Sequence, residues 1–531
     1  MIAMSQERTR TLLAIHGWSG VLLGLLLYVV ILTGAVAVFA DEIGDWASPL
    51  AQNQTAPLPP GLDAKLRELA TTVDAKYHED IFLFPQAGSR IRTFFHHHTT
   101  RDGKPAEMGV EFDLHPQTLE VLDRREGFAE DIEAANTANA LTEFLVHLHV
   151  SLHIPDPWGV FATGILGLAM MVAAVTGLVL HRHMLRELFT IRRLRDALLA
   201  RRDTHVIAAT WNLPFAFVLA FTGSFFSFAG AIGIPVMAMV AFGGDQEAMI
   251  ETVVGTPPPE DTTPTPLARL DRILADARER GQSEVRFVGI ERFGRADARV
   301  TTFAFPPEGQ VINVNLLYDG ASGEFLQQKP GLGLVPSTGG LLADLMGPLH
   351  FGNFGGLASK AVWFALGFAS CYVTLTGMLL WTTRRAQSRV WQGMARAVTW
   401  VGYGLPLALA ATPWAYFIAR ASGAMPLISP IAWTFIATAA AAGLMTLAVA
   451  DTDRLRRILI GAAGAAMLFL PGLRLLCDQP GWISAIDLGM AVVPAFDIAL
   501  LAAGTLCLRA AARSGTQRQL AEPEAQAQAS N

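Results

Sequence analysis

The sequence predicts a mainly α, polytopic membrane protein: a four-helix core bundle built from a duplicated span–module–span unit, two small α+β modules outside the membrane, and four additional C-terminal spans. Three observations carry this. The 531 residues are 52% hydrophobic and only 16% charged, with mean hydropathy +0.36, against about 25% charged in ordinary soluble domains. The apolar residues gather in long blocks between polar stretches, the pattern of a multi-span chain. Residues 16–385 contain the same unit twice.

Composition also excludes function classes. A net charge of −6 and a pI near 6.1 argue against a nucleic-acid partner, and the apolar blocks against a disordered chain. Cys371, Cys477 and Cys507 lie far apart, so there is no disulfide framework and no Cys-x-x-Cys-His attachment motif. A cofactor here is not held by thioethers.

A membrane-crossing helix needs about 20 mostly apolar residues. Eight segments meet or approach that length: 14–40, 158–181, 206–231, 357–381, 397–419, 428–450, 457–476 and 484–508. Pro471 and Arg474 interrupt the end of the seventh. Arg8, Arg10 and Ala35-Val36-Ala37 give the first a signal-peptide flavour, but an apolar signal core is only about 7–15 residues. The run is nearly twice that, and it reads as a retained span. Arg182, Arg186, Arg192, Arg193, Arg195, Arg201 and Arg202 crowd one link; Arg384, Arg385, Arg389 and Arg396 follow the fourth span, and Arg454, Arg456 and Arg457 the sixth. Arginine-rich loops stay in the cytoplasm, which puts both termini there and the polar stretches outside.

The expected organisation is therefore a start and first span (1–40), a first external module (41–145), a second span (146–183) and an Arg-rich link (184–205). A third span (206–242), a second module (243–348) and a fourth span (349–386) follow. Four extra spans (387–510) and a tail (511–531) close the chain. The tail, rich in Gln, Ala and Glu, is expected to be disordered.

The repeat is the most informative feature. Span one reads HGWSGVLLGLLLYVVILTG from His16 to Gly34, and span three reads HVIAATWNLPFAFVLAFTG from His205 to Gly223; in both, histidine stands 17 residues before the Thr-Gly pair. Span two ends TGLVLHRH and span four TGMLLWTTRR. Leu148-His149 and Leu349-His350 precede their Thr-Gly pairs by 27 and 26 residues. Parallel repeats are related by an axis along the membrane normal, so a site on that axis receives the same side chain from each half.

That symmetry selects histidines. Ionisable residues near a membrane core suggest function by default. Thirteen histidines are present, and His16, His205, His149 and His350 each recur at the equivalent point of the other repeat. His183 beside Arg182 reads as interfacial, and His147 and His153 as solvated neighbours of His149. Haem is held by axial imidazoles, and bundle cores build such sites from facing helices. Zinc is the alternative, but its sites usually take four ligands, often including Cys or carboxylate. The 17 residues from His16 to Thr33 span about 26 Å of helix, so two haems, one near each face, make a transmembrane electron path. His16, His149, His205 and His350 are the expected axial ligands. His181, whose counterpart is Trp381, breaks the symmetry and competes as partner of His16 or His205.

Both external segments open with an amphipathic helix, Leu62 to Tyr77 and Leu267 to Arg280, and continue as alternating strands. An Asp-x-x-Ser-Gly-Glu turn, Asp319 to Glu324, joins the last two strands of the second; Asp113 to Glu120 takes that place in the first, without the glycine. The His96-His97-His98 run could touch a metal or an anionic chelate, although such a run is more often a solvated strand edge.

HGWSG, LH…TGLVLHRH, DTHVIAATWNLPFAFVLAFTG and PLHFGNFGGLASKAVWFALG, in that order, resemble the PepSY-associated transmembrane helix family over about residues 8–386. The Asp-x-x-Ser-Gly-Glu turn resembles that of PepSY modules. The resemblance implies a multi-pass protein of the bacterial inner membrane with two periplasmic PepSY-like modules. It also implies non-covalent b-type haem, with His16, His149, His181, His205 and His350 as ligand candidates, and reduction of a ferric siderophore. No flavin or nicotinamide fingerprint exists: Gly331-Leu332-Gly333 leads to Val335-Pro336 rather than to a helix start. The electron donor is then a quinol or a separate reductase. The other partners are the bilayer, a ferric chelate as substrate and a possible second copy of the chain, with no nucleic acid. The alternatives are a non-enzymatic PepSY scaffold or regulator of a periplasmic partner, and a transporter of chelated iron. The four extra spans hold no histidine and no evident acid–base chain, and read as packing, assembly or quinone-side elements.

Overall fold

The computed structural model describes residues 5–50, 57–181, 189, 197–254, 259–331 and 333–529. Arg182, His183, Arg186, Arg192, Arg193 and Arg195 lie outside them. Seven helices are long and apolar enough to cross a membrane: Trp158–Leu180, Leu198–Phe228, Gly356–Thr383, Arg389–Ala421, Ile428–Ala448, Thr452–Leu476 and Val492–Arg513. Gln6–Leu22 and Gly24–Ala37 form an eighth if counted together, but they meet at 64°. The first span is thus broken where an unbroken run is expected. Gly20 and Gly24 flank the break and weaken the helix there. Gly24 also lets the fourth span close in, since a Cβ there would sit 2.8 Å from Met378 Sδ.

The two external modules are a single sheet. Strands β1 (Asp80–Pro85), β2 (Ile91–Arg101), β3 (Lys104–Leu114) and β4 (Val121–Phe128) come from the first, and β5 (Val285–Glu291), β6 (Arg299–Ala304), β7 (Val314–Asp319) and β8 (Phe325–Lys329) from the second. All pairings are antiparallel, in the order β4-β3-β2-β1-β5-β6-β7-β8. The first strands of the two modules pair, Asp80 opposite Glu291 and Leu83 opposite Val288, so the repeat axis runs between them. Helices Leu62–Ala70 and Leu270–Gly281 cover one face through Leu62, Leu66, Leu69, Leu270, Ile273 and Leu274. They tie reciprocally: Leu270 N donates to Asp63 Oδ1 (3.0 Å) and Gly61 N to Asp271 Oδ1 (3.2 Å). The pairing was not legible in either half because each sheet edge reads as an ordinary end.

The turn that closes each module is better aligned by the structure. Asp319 Oδ1 accepts from Ala321 N and Ser322 N, and Gly323 supplies φ +75°. The first-module counterpart runs from His115 to Glu120, not from Asp113. His115 Nδ1 accepts from Gln117 N and Thr118 N in place of the carboxylate, and Leu119 takes the positive φ of 57°.

The C-terminal spans pack on the first repeat. Tyr416, Phe417, Ile431, Leu470 and Val493 share a core with Ile43, Trp46, Leu141, Phe144 and Leu148. Helix Arg389–Ala421 contains a π-turn at Trp400–Gly404, whose Gly402 carbonyl accepts from Tyr28 Oη (2.9 Å). Contrary to the sequence reading, these spans do contain a buried charge pair. Arg474 and Asp497, both fully buried, meet at 2.9 Å. Trp46 and Trp482 donate to the same carboxylate at 2.9 and 2.8 Å, and Pro480 O accepts from Arg474 Nη1. Every charged atom has a partner, which is how two ionised groups are tolerated there. The pairing joins the seventh span to the eighth, too distant in sequence for periodicity to reveal. The last helix runs on to Ala529, through most of the tail expected to be disordered. Ala, Gln, Glu and Arg lack an apolar face for packing but favour helix.

Candidate functional site

The four repeated histidines occupy four copies of one seat. Each seat is a Thr-Gly pair on a neighbouring helix: Thr176-Gly177 for His16, Thr376-Gly377 for His205, Thr33-Gly34 for His149 and Thr222-Gly223 for His350. Glycine lets the imidazole lie close against the helix backbone. A Cβ would sit 3.2 Å from His16 Cε1 at Gly177, 3.1 Å from His205 Cε1 at Gly377, 2.6 Å from His149 Cε1 at Gly34 and 3.3 Å from His350 Cε1 at Gly223.

The seat also fixes the tautomer. Nδ1 of His16 lies 3.0 Å from Ala173 O and 3.2 Å from Thr176 Oγ1. Nδ1 of His205 lies 3.1 Å from both Val373 O and Thr376 Oγ1, and Nδ1 of His149 lies 2.9 Å from Val30 O. A carbonyl can only accept, so Nδ1 carries the proton in these three. For His350 the partner is Thr222 Oγ1 at 2.9 Å. That hydroxyl donates to Val218 O (2.8 Å), so it too accepts from Nδ1. In all four neutral rings the Nε2 lone pair is left for another ligand.

Two of the rings meet at one end of the bundle. His149, on short helix Ala140–Val150, and His350, on short helix Thr338–Phe351, face each other at the end of the bundle nearer the sheet; their ring centres are 6.1 Å apart with planes at 30°. Two neighbouring imidazoles whose Nδ1 atoms are engaged and whose Nε2 atoms are left for a ligand are a donor set that could hold a haem iron at this end. Phe226 and Phe351 stand edge-on to His350 at 5.6 and 5.4 Å. Trp363 Nε1 donates to Leu349 O (2.9 Å) beside the turn made by Gly352 (φ +64°). Buried Lys360 of the fourth span reaches Glu42 at 2.9 Å, tying the two repeats together near this end.

At the other end, His16 sits on the Thr-Gly pair of the second span and His205 on that of the fourth. His181 has a different setting. It caps the second span, with Nδ1 3.5 Å from Thr210 Oγ1. Its repeat counterpart Trp381 lies on Gly17, beside His16, and Arg385 stacks on that ring at 3.5 Å. His147 and His153 have other partners, Glu143 at 3.3 Å and Phe144 O at 3.0 Å. With Ser151, Ile154, Pro155 and Asp156 they line an open cleft of about 220 Å³.

Sequence reasoning picked the histidines and used the Thr-Gly pairs only as markers of the repeat. The signal that those pairs are the seats was their place in the repeat: of the Thr-Gly pairs in the chain, these four recur at equivalent points of the two halves.

The model of the PepSY-associated TM region matches residues 13–384, from the first span to the end of the fourth and short of the four C-terminal spans. The uncharacterized protein PA4219 of Pseudomonas aeruginosa is similar to this chain, 28% identical over 357 residues that cover 61% of this chain and 84% of its own.

Proposed function

Because the chain belongs to the family of the PepSY-associated TM region, we propose that it is a haem-containing inner-membrane reductase that delivers electrons to a periplasmic ferric chelate such as a ferric siderophore. The observation that carries the reading is the His149–His350 pair: two rings 6.1 Å apart, each with Nδ1 engaged and Nε2 directed elsewhere. His149 and His350 would hold one b-type haem, and His16 with His205, or with His181, the second. Bound haem supplies a one-electron Fe(III)/Fe(II) couple.

The chain's own groups prepare the site. Hydrogen bonds from Nδ1 to the Thr-Gly seats fix ring orientation and raise the basicity of Nε2. Phe226 and Phe351 stand edge-on against the His350 ring. With both termini cytoplasmic, the sheet lies in the periplasm, and a chelate between sheet and bundle is within reach of that pair. An Fe(III) chelate that takes one electron becomes Fe(II), whose lower charge weakens the hold of hard oxygen ligands. The donor is a quinol or a separate reductase at the cytoplasmic end.

Reduced-minus-oxidised spectra and pyridine haemochrome on the full chain, purified from haem-replete cells, test the reading. The expected result is two b-type haems per chain, reoxidised by a ferric hydroxamate or catecholate chelate. A colourless protein overturns the proposal and leaves the scaffold reading; haem that no ferric chelate reoxidises overturns the reductase activity.

A further inference from the structure

A second cluster of ligating side chains lies on the sheet, away from the bundle histidines. Strand alternation puts Asp80 of β1 and His96 and His98 of β2 on the face opposite helices Leu62–Ala70 and Leu270–Gly281, with Asp80 directly across from His96. One carboxylate oxygen of Asp80 and one ring nitrogen each of His96 and His98 lie within 4.8 Å of one another. His98 Nε2 is 3.0 Å from Asp80 Oδ2.

His96 is the telling member. It is fully buried, and its Nε2 has no hydrogen-bond partner; Nδ1 lies 3.4 Å from Phe94 O. Phe94 stacks on the ring at 4.5 Å and 6°, and Phe82 packs against it at 4.5 Å. These contacts fix the ring in an apolar setting. A buried polar atom left unsatisfied costs about 1–3 kcal/mol, and in a native fold it calls for an explanation.

Carboxylates flank the cluster, although one of them, Glu291, is paired with Arg292 at 3.6 Å. Glu291 stands opposite Asp80, and Glu107 opposite His98; Glu79 Oε2 accepts from His98 N at 3.2 Å. The three ligands also grade outward, from buried His96 through Asp80 (15% exposed) to His98 (60% exposed), which gives an ion a way in. We propose that Asp80, His96 and His98 form a binding site for a divalent first-row transition-metal ion such as Zn²⁺. Two imidazoles and one carboxylate match the borderline preference of such ions, and three protein ligands leave a position for water or an exogenous ligand. The site does not depend on haem in the bundle.

The test is equilibrium dialysis of the untagged, chelator-treated full chain against ⁶⁵Zn²⁺, which is counted apart from iron. One Zn²⁺ per chain with micromolar or tighter affinity is expected. His98→Ala, at an exposed position, should weaken it at least tenfold, and His96→Phe should abolish it while the ring packs with Phe82 and Phe94. His97→Ala, on the opposite face, should change nothing. Zinc-edge absorption spectra of the wild type should show two imidazoles and oxygen donors. Unchanged binding in both His98→Ala and His96→Phe, or no binding below millimolar Zn²⁺, would make the cluster an ordinary Asp–His pair and end the proposal.

Discussion

The two ends of the bundle hold their histidines in the same seat but deliver them on different helices. At the end away from the sheet, His16 and His205 ride on the first and third spans themselves. At the sheet end, His149 and His350 ride on short helices of 11 and 14 residues that lie between the sheet and the second and fourth spans. A histidine on a long span is placed by the packing of the whole bundle. One on a short helix is placed by its seat and by local ties such as Trp363 to Leu349 O. The sheet-end pair is therefore the one exposed to changes in the external domain. The ends differ in symmetry as well: at the end away from the sheet, unseated His181 of one repeat stands where the other repeat has Trp381.

The largest expected effects come from removing rings. His149→Ala and His350→Ala should each lose one of the two proposed haems, read as pyridine haemochrome per chain. His16→Ala and His205→Ala should lose the other. His181→Ala should retain both, because His181 lacks a Thr-Gly seat. Loss of a haem in His181→Ala, with retention in His16→Ala or His205→Ala, would replace the symmetric pairing at that end.

Filling a seat should act less completely and unequally. At Gly34 a methyl would stand 2.6 Å from His149 Cε1 and 2.9 Å from Nδ1; at Gly223 the closest approach is 3.3 Å. Overpacking of the first kind typically costs about 1–3 kcal/mol. Gly34→Ala should cut sheet-end haem occupancy several-fold, and Gly223→Ala by less than half. Equal losses would mean that the short helices shift freely enough to fit either seat.

Much of this was legible in the sequence, because the repeat doubles every signal. The spans follow from apolar runs, the strands from alternation, and the histidine pairs from their recurrence. What stayed hidden depends on contacts between segments remote in the chain. The β1–β5 pairing joins edges some 200 residues apart, and the Arg474–Asp497 pair joins two separate spans. The break at Leu23 was hidden for another reason: hydropathy continues through Gly20 and Gly24 while helix geometry does not. In the first module's turn, His115 replaces an aspartate by using a ring nitrogen as the acceptor, a substitution that residue-type matching passes over.

The smallest expected effect sharpens the comparison most. His205 Nδ1 has two acceptors, Val373 O and Thr376 Oγ1, each at 3.1 Å. His350 leans on Thr222 Oγ1. Thr222→Val therefore removes the acceptor that makes the sheet-end ring a stronger donor, while Thr376→Val leaves a carbonyl in place. A hydrogen bond of this kind contributes about 0.5–1.5 kcal/mol, which for a one-electron couple is a few tens of millivolts. A less basic imidazole stabilises the ferric state less, so the sheet-end midpoint potential should rise by that amount in Thr222→Val. The opposite centre in Thr376→Val should move by less than half as much. Redox titration followed in the α-band resolves the two. Equal shifts would show that the hydroxyls tune both ends alike, whether or not a carbonyl stands beside them.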